Sequence, residues 1–428
     1  MNLIDGKIFD TSECDAVLEQ LEQRIITTLS KPRVSTEQVI MACDKLVASF
    51  NEDEYLSSSI KEFSITGNLI EKYVAEARAM FSEEALRYRV KKELGDNFGF
   101  AQSAPSEKGD IITERILPLG VLLHIAAGNA DGLPAFSVLE GLLAGNINIL
   151  KLPASEGGIS VRILMELIRI EPALAEYIYV FDYSSKDIVH MNKLIGSADA
   201  VVVWGGIEAV TAFRALLPPN VKLIEWGHKV GFAYVTMDAV NDNELYEIAV
   251  NMVSTGQLLC SSCQGVFLDT EDTAELYNFC KRFLSFFERA VEAYAGSMDI
   301  GMAAQSALQR RATELETIYT GNKVFGGKGC YLIAGKDQIL EPSTGFASAW
   351  VKMLPRKDLV KTLRPYKNYL QTAALICDNK EKAELTATLL RTGIVRICSG
   401  VRMSAAYSGQ PHDGEYPLRR YTKITAVE

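Results

Sequence analysis

From about residue 118 the chain repeats one pattern, a short continuous apolar run followed by a helical stretch, and few folds accept it. The runs at 121–125, 147–150, 177–181, 200–204 and 222–224 alternate with helical stretches such as 134–144 and 159–170. Strands this uniformly apolar are buried on both faces, which points to a parallel sheet covered by helices, a doubly wound α/β domain. Such a sheet binds ligands beyond the carboxyl ends of its strands, so the residues just after each run carry the most weight. A second βα-rich stretch is expected further on, with helices at 243–255 and 273–294 and strands at 265–269, 330–333, 349–353 and 372–377. The change between the two is expected near Phe232–Asn241, and 428 residues suit two or three domains.

The first ninety-odd residues read as helical. Val17, Leu18, Leu21, Ile25 and Leu29 recur at helical spacing after Ser12 as N-cap, and Pro32 stops the run. Another helix is expected over 82–94, ending at Gly95, and Asp5-Gly6 suits a small hairpin.

Charge narrows the partners. With 44 Lys+Arg against 54 Asp+Glu the net charge is −10, which argues against nucleic acid but leaves a local basic site for a phosphorylated cofactor. No apolar stretch reaches the length of a membrane span, so no membrane insertion is expected. The segment MNLIDGKIFD lacks the basic start and apolar run of a signal peptide. Eight cysteines at irregular spacing make no disulfide framework, so a reduced cytoplasmic location is expected.

The common phosphate-binding fingerprints are absent: no G-x-G-x-x-G follows a strand, and Gly326-Gly327-Lys328-Gly329 precedes a strand, as a turn would. The segment Gly256-Gln257-Leu258-Leu259-Cys260-Ser261-Ser262-Cys263-Gln264 is the more informative one. Its C-x-x-C would need a second ligand pair to hold zinc, and His124, His190, His228 and His412 are scattered. Thiol redox chemistry would need a strand-to-helix context that the segment lacks. A single nucleophilic cysteine on a polar loop remains, against the ordinary reading of a lone cysteine as core.

Further motifs stand in order along the chain. Pro118-Leu119-Gly120-Val121 opens the first run and Ala127-Gly128-Asn129 follows it; Leu150-Lys151-Leu152-Pro153-Ala154-Ser155 places Lys151 22 residues after Asn129. Trp204-Gly205-Gly206-Ile207-Glu208 closes another run, and Ile224-Glu225-Trp226-Gly227-His228-Lys229 puts Glu225 35 residues before Cys260. This ordered set resembles the aldehyde dehydrogenase superfamily and, within it, the LuxC-type acyl-CoA reductases, from about residue 115 to the end. Cys260-Ser261-Ser262 with Gln264, and His412-Asp413-Gly414, favour the reductase branch. There are two departures from the family pattern: Cys263 stands where the family has proline, and two residues rather than one separate Gln257 from Cys260, the second of which bears on the choice between Cys260 and Cys263. Cys260 keeps the better spacing to Glu225 and Gln264 and is preferred.

The resemblance implies an aldehyde-dehydrogenase-like α/β fold: a helical start and Rossmann-type cofactor domain over 1–235, an α/β catalytic domain over 236–400, and a C-terminal return and oligomerisation strand over 401–428. It implies Cys260 as nucleophile, Asn129 as oxyanion donor, and Glu225 as base, proton relay or mere strand end. Lys151, Pro153, Ser155, Gly205, Gly206 and Glu341 fall to the cofactor. Ala154 stands where NAD-preferring relatives often carry a glutamate, so NADP(H) is expected, with NAD(H) the alternative because Glu156 is close by. The implied reaction reduces an acyl-CoA to its aldehyde through a Cys thioester; the implied partners are acyl-CoA or aldehyde, a homodimer or tetramer, and an acyl-transferring enzyme. An aldehyde-oxidising dehydrogenase uses the same residues in reverse. A cysteine acyltransferase or thioesterase built on Cys260, His228 and Glu225, and a catalytically silent oligomeric protein, are the rivals outside nicotinamide chemistry.

Overall fold

The computed structural model describes residues 1–49, 75, 78–95, 98, 102–105, 111–126, 132–153, 158–239, 241–294, 300–345, 347–403 and 405–427. The chain forms two compact units: one of Met1–Tyr55, Val74–Gly227 and Tyr407–Glu428, and another containing His228–Ala406.

The first unit is built on β1 (Asn2–Ile4), β2 (Lys7–Phe9), β5 (Val121–Ile125), β6 (Ile147–Lys151), β7 (Ile178–Phe181), β8 (Ala200–Trp204) and β9 (Lys222–Trp226), in the order β2-β1-β7-β6-β5-β8-β9. β5 to β9 run parallel, and every residue of β5, β6, β7 and β8 is buried, as their mainly apolar runs require, with His124, Asn148 and Lys151 the polar exceptions. The chain winds from β5 out to β7, then crosses back to β8 on the other side of β5. The strand order therefore reverses between β5 and β8, where a doubly wound sheet opens its ligand crevice. His124 in β5 is a satisfied core residue, its ring nitrogens 2.7 Å from Ser137 Oγ and 3.0 Å from Asn148 Oδ1. Burial pushes its pKa down to about 4.

Hairpin and helix ends follow the sequence closely, with local differences. Asp5 and Gly6 both take left-handed φ (49° and 73°) and join β1 to β2; the docking of β1 antiparallel on β7 had no local signal. The first helical run divides into Thr11–Glu19 and Leu21–Leu29, and its N-cap is Asp10, whose N–H donates to the Glu13 carboxylate (3.1 Å), not Ser12. Ser82 caps the helix Glu83–Leu94, which Gly95 ends at φ 79°.

The closing segment ends in the strand β17 (Thr422–Val427), which belongs to the first unit. It pairs antiparallel with β4 (Ile111–Pro118) of its own chain, and β3 (Gln102–Pro105) lies on the other side of β4. The partner run Ile-Ile-Thr-Glu-Arg-Ile-Leu-Pro mixes apolar and polar residues too irregularly to read as a strand alone. Buried charge anchors the return: Arg89 bridges Glu93 and Glu140, Glu93 accepts from Leu418 N–H (2.9 Å), and Asn146 donates to the Tyr421 carbonyl (3.1 Å).

The second unit holds β10 (Val230–Thr236), β11 (Cys263–Asp269), β12 (Lys323–Gly326), β13 (Tyr331–Gly335), β14 (Ser348–Met353), β15 (Leu370–Ile376) and β16 (Arg396–Cys398), in the order β12-β13-β14-β11-β10-β15-β16. All pairings are parallel except β12 with β13. The boundary expected near Phe232–Asn241 falls inside this unit: β10 is an inner strand buried throughout, and the change of unit comes at Gly227 and His228. Val-Gly-Phe-Ala-Tyr-Val-Thr is the same kind of mainly apolar run that marked the earlier strands. Among the described residues no helix is long and apolar enough to cross a membrane.

Candidate active site

Cys260 lies on the loop between the helix Asp242–Ser254 and β11. The helix ends because Gly256 and Gln257 both turn left-handed, at φ 56° and 58°. For Gln257 that conformation is unfavourable by about 1 kcal/mol. It is held by its own side chain, whose amide donates to the carbonyls of Cys263 (3.2 Å) and Ser348 (2.8 Å). Ser262 tightens the loop further, its hydroxyl donating to Thr255 Oγ1 (2.7 Å) and accepting from Leu259 N–H (3.1 Å). Gly231 in β10 lets the loop close, because a Cβ there would lie 2.7 Å from the Ser262 carbonyl oxygen.

The two cysteines of the motif part company in this setting. Cys260 is half-buried on the turn, whereas Cys263 is the first residue of β11 and fully buried. Burial pushes the Cys263 thiol well above its ordinary range, and its Sγ donates to the Gly265 carbonyl at 3.3 Å. None of the eight cysteines is in a disulfide, and among the described residues no group of three or more His, Cys, Asp or Glu is placed to hold a metal.

A second loop is drawn to the first by Gln264. Its Oε1 accepts from Ser343 N–H and hydroxyl, and its Nε2 donates to the Gln257 carbonyl (3.0 Å). The segment 341–345, with Glu341, is thereby tied to the cysteine loop. Glu341 is half-exposed and pairs at 2.6 Å with the Lys352 ammonium, which is buried in β14 and also bonds Asp337 (2.6 Å) and the Ile339 carbonyl (2.8 Å). Neither Gln264 nor Lys352 had been assigned these contacts from sequence. The one visible signal was a lysine in the apolar run of β14.

The remaining described candidates stand along the carboxyl ends of the first unit's sheet. Lys151 ends β6 and is buried; desolvation lowers its pKa, with the Asp182 carboxylate opposing. Pro153 follows, half-buried. Gly205 and Gly206 link β8 to the helix Ile207–Leu216, with Gly206 as N-cap. Gly206 has an ordinary φ of −67°, and a Cβ on it would meet nothing within 4 Å. Neither backbone strain nor packing demands glycine there; it leaves the helix's first N–H groups open to an anion. Glu225 is drawn sideways, its carboxylate paired with Arg214 of that helix at 2.6 Å. Asn129 and Ser155, like Ala154 and Glu156, lie outside the described residues.

A family model described as acyl-CoA reductase (LuxC) matches residues 32–424. The chain is 24% identical to a long-chain acyl-protein thioester reductase of Aliivibrio fischeri over 82% of its own length and 72% of the relative's. To the protein of the same name from Photobacterium phosphoreum it is 23% identical, covering 81% and 70%. Among solved structures it resembles a lactaldehyde dehydrogenase (TM-score 0.72, 14% identity, 100% of this chain and 95% of that one). It matches glyceraldehyde-3-phosphate dehydrogenase GapN from Methanocaldococcus jannaschii, complexed with NADP, equally well (TM-score 0.72, 14% identity, 98% and 95%). Bifunctional proline utilization A aligns at TM-score 0.73 and 16% identity over 99% of this chain, which spans only 46% of that protein. At such identities these likenesses establish the fold, which is that of the aldehyde dehydrogenases.

Proposed function

This chain belongs to the acyl-CoA reductase (LuxC) family, and on that premise we propose that it reduces an acyl-CoA thioester to the aldehyde with NADP(H), using Cys260 as nucleophile. It is an oxidoreductase of acyl or aldehyde groups. The observation that carries the assignment to Cys260 is the contrast within the C-x-x-C: one thiol half-exposed on a braced turn, the other sealed in a strand.

The Cys260 thiolate attacks the acyl carbonyl, and the substrate thiolate leaves with a proton, so the acyl group becomes a thioester on the protein. Negative charge gathers on one oxygen in each tetrahedral stage, and the Cys260 backbone N–H with Asn129 are the proposed donors to it. A dinucleotide held there would supply the hydride for reduction of this thioester, and Cys260 would be released as thiolate when the aldehyde forms. The residues present suit such a cofactor. The Gly205-Gly206 turn offers an uncapped helix N-terminus to a pyrophosphate, and Lys151 offers a desolvated cation to the adenosine ribose or its 2′-phosphate. Pro153, Ser155 and, through Lys352, Glu341 complete the proposed cofactor set.

An acyl group carried on a protein thiol is the second reading of the substrate, favoured by the names of the relatives. A homodimer or tetramer, a cytoplasmic location and an acyl-transferring partner enzyme belong to the same proposal. NADPH and NADH oxidation, followed by absorbance with acyl-CoAs of several chain lengths and with an acylated carrier protein, tests it. No aldehyde from any thioester with either nucleotide would refute the assignment.

A further inference from the structure

The carboxyl edge of the first sheet carries an aromatic cluster that the reaction as proposed does not use. Trp204 ends β8 and Trp226 ends β9, and the ring of His412 stands edge-on to both, with centroids 5.0 and 4.9 Å away and interplanar angles of 69° and 83°. Each member is fixed separately. Trp204 Nε1 donates to Ser137 Oγ (2.9 Å), and the Arg420 guanidinium covers Trp226 at 4.8 Å. His412 is presented by a two-residue turn in which Asp413 and Gly414 are both left-handed (φ 51° and 83°), closed by paired hydrogen bonds of 2.9 Å between His412 and Glu415. Asp-Gly is the sequence such a turn favours. The tryptophans are 8% and 3% exposed, whereas the His412 side chain is 28% exposed, so the cluster meets solvent through the imidazole.

Its position along the edge says which end of a dinucleotide it would meet. β6, β5, β8 and β9 follow one another in the sheet, about 4.8 Å apart. Lys151 ends the first of these, the Gly205-Gly206 turn follows the third, and Trp226 ends the fourth. A dinucleotide with its adenosine ribose at Lys151 and its pyrophosphate at Gly205-Gly206 runs on toward β9. We propose that His412, seated between Trp204 and Trp226, is a cofactor-binding residue that receives the nicotinamide end of NADP(H) against its ring. Aromatic contact of this kind orients a planar ring without charge and adds a modest increment of affinity. The inference rests on the cofactor reading above, and it assigns a residue of the C-terminal return to cofactor binding.

The test is a binding measurement on the full chain, read by tryptophan fluorescence and by energy transfer from tryptophan to bound dihydronicotinamide. NADPH is compared with 2′,5′-ADP, which has the adenosine end and lacks nicotinamide. His412→Ala is expected to weaken NADPH roughly five- to tenfold, with reduced energy transfer, while 2′,5′-ADP stays within about twofold. His412→Phe, which keeps a flat ring in the same seat, is expected to retain NADPH affinity. Unchanged NADPH binding in His412→Ala, or an equal loss for both ligands in both variants, would overturn the assignment. A wild-type chain that binds 2′,5′-ADP but shows no energy transfer with NADPH would overturn it too. A wild-type chain that binds neither ligand would remove the cofactor reading itself, and this inference with it.

Discussion

One side-chain oxygen of Gln264 accepts both the backbone N–H (3.0 Å) and the hydroxyl (3.1 Å) of Ser343, 79 residues further along the chain. The same side chain donates to the Gln257 carbonyl, so the cysteine loop and the Glu341 segment share one brace. A nucleophile must be held near its attack geometry, and displacement by an ångström can lower a rate by about 100-fold. Gln264→Ala is therefore expected to lower kcat by roughly 10- to 100-fold. Gln264→Glu, which can still accept from Ser343 but cannot donate to Gln257, should fall between. Alkylation of Cys260 by iodoacetamide should change in parallel, and full activity in Gln264→Ala would show that the brace is dispensable.

The two cysteines separate cleanly by variant. Cys260→Ala should abolish aldehyde formation while leaving NADPH binding intact. Cys263→Ala removes a buried thiol whose pKa is raised by burial, and is expected to cost about 1 kcal/mol of stability while keeping most of the activity. Mass spectrometry of the trapped acyl adduct decides the matter: label on Cys263 would reverse the assignment.

His124 gives the first unit a pH dependence whose sign is fixed. Its pKa is pushed down to about 4 by burial, while the unfolded chain titrates near 6.5. Between those values the unfolded state holds the extra proton, so stability is complete above pH 6.5 and declines as pH falls toward 4. Thermal unfolding of the wild type should lose stability over that window more steeply than His124→Gln does. Equal slopes would mean that the imidazole titrates normally in the fold.

Local signals explain why much of this was legible from sequence. The mainly apolar runs of β5 to β8, the Ser82 cap with Gly95 and the Asp5-Gly6 hairpin each depend on residues within about ten positions. The ordered motifs carried the family, since their spacing survives low identity. What stayed hidden depends on distant pairs. β17 finds β4 some three hundred residues away, Gln264 finds Ser343, and Lys352 finds Asp337 and Glu341 from inside a strand. β10 (Val230–Thr236) overlaps the boundary expected near Phe232–Asn241, so its apolar run does not enter the list of expected strands. The Glu225 carboxylate faces Arg214, eleven residues earlier, a contact that required the turn of helix Ile207–Leu216 back onto β9.

Lys151 should show the conflict between a binding site and a stable fold. Its ammonium is desolvated at the end of β6, which disfavours the charged form in the folded state. Lys151→Met removes that burden and keeps the apolar stem, so the cofactor-free protein should melt about 2 °C or more higher. NADPH binding should weaken at the same time, and by more than NADH binding, because only NADPH offers a 2′-phosphate. A variant that melts lower and binds both nucleotides as before would show Lys151 to be structural.

The terminal strand gives the last prediction, and it needs two variants because β17 has two functions to separate. Within its own chain it pairs with β4 along six residues, beside Tyr421, which is fully buried. Removing everything after Leu418 therefore strips β4 of its partner and empties the Tyr421 site, and should destabilise even an isolated chain. On its other side β17 pairs with no strand among the described residues, and Ile424 is 70% exposed. An open strand edge beside an exposed apolar residue favours association with a second copy. Ile424→Lys leaves the β4 pairing in place and adds charge to that surface. Light scattering is expected to find the wild type as a dimer or tetramer at micromolar concentration. Ile424→Lys should shift toward monomer with its circular dichroism unchanged. A wild type that is already monomeric would confine β17 to its role inside the chain, and the truncation would then lower the melting temperature without any change of assembly.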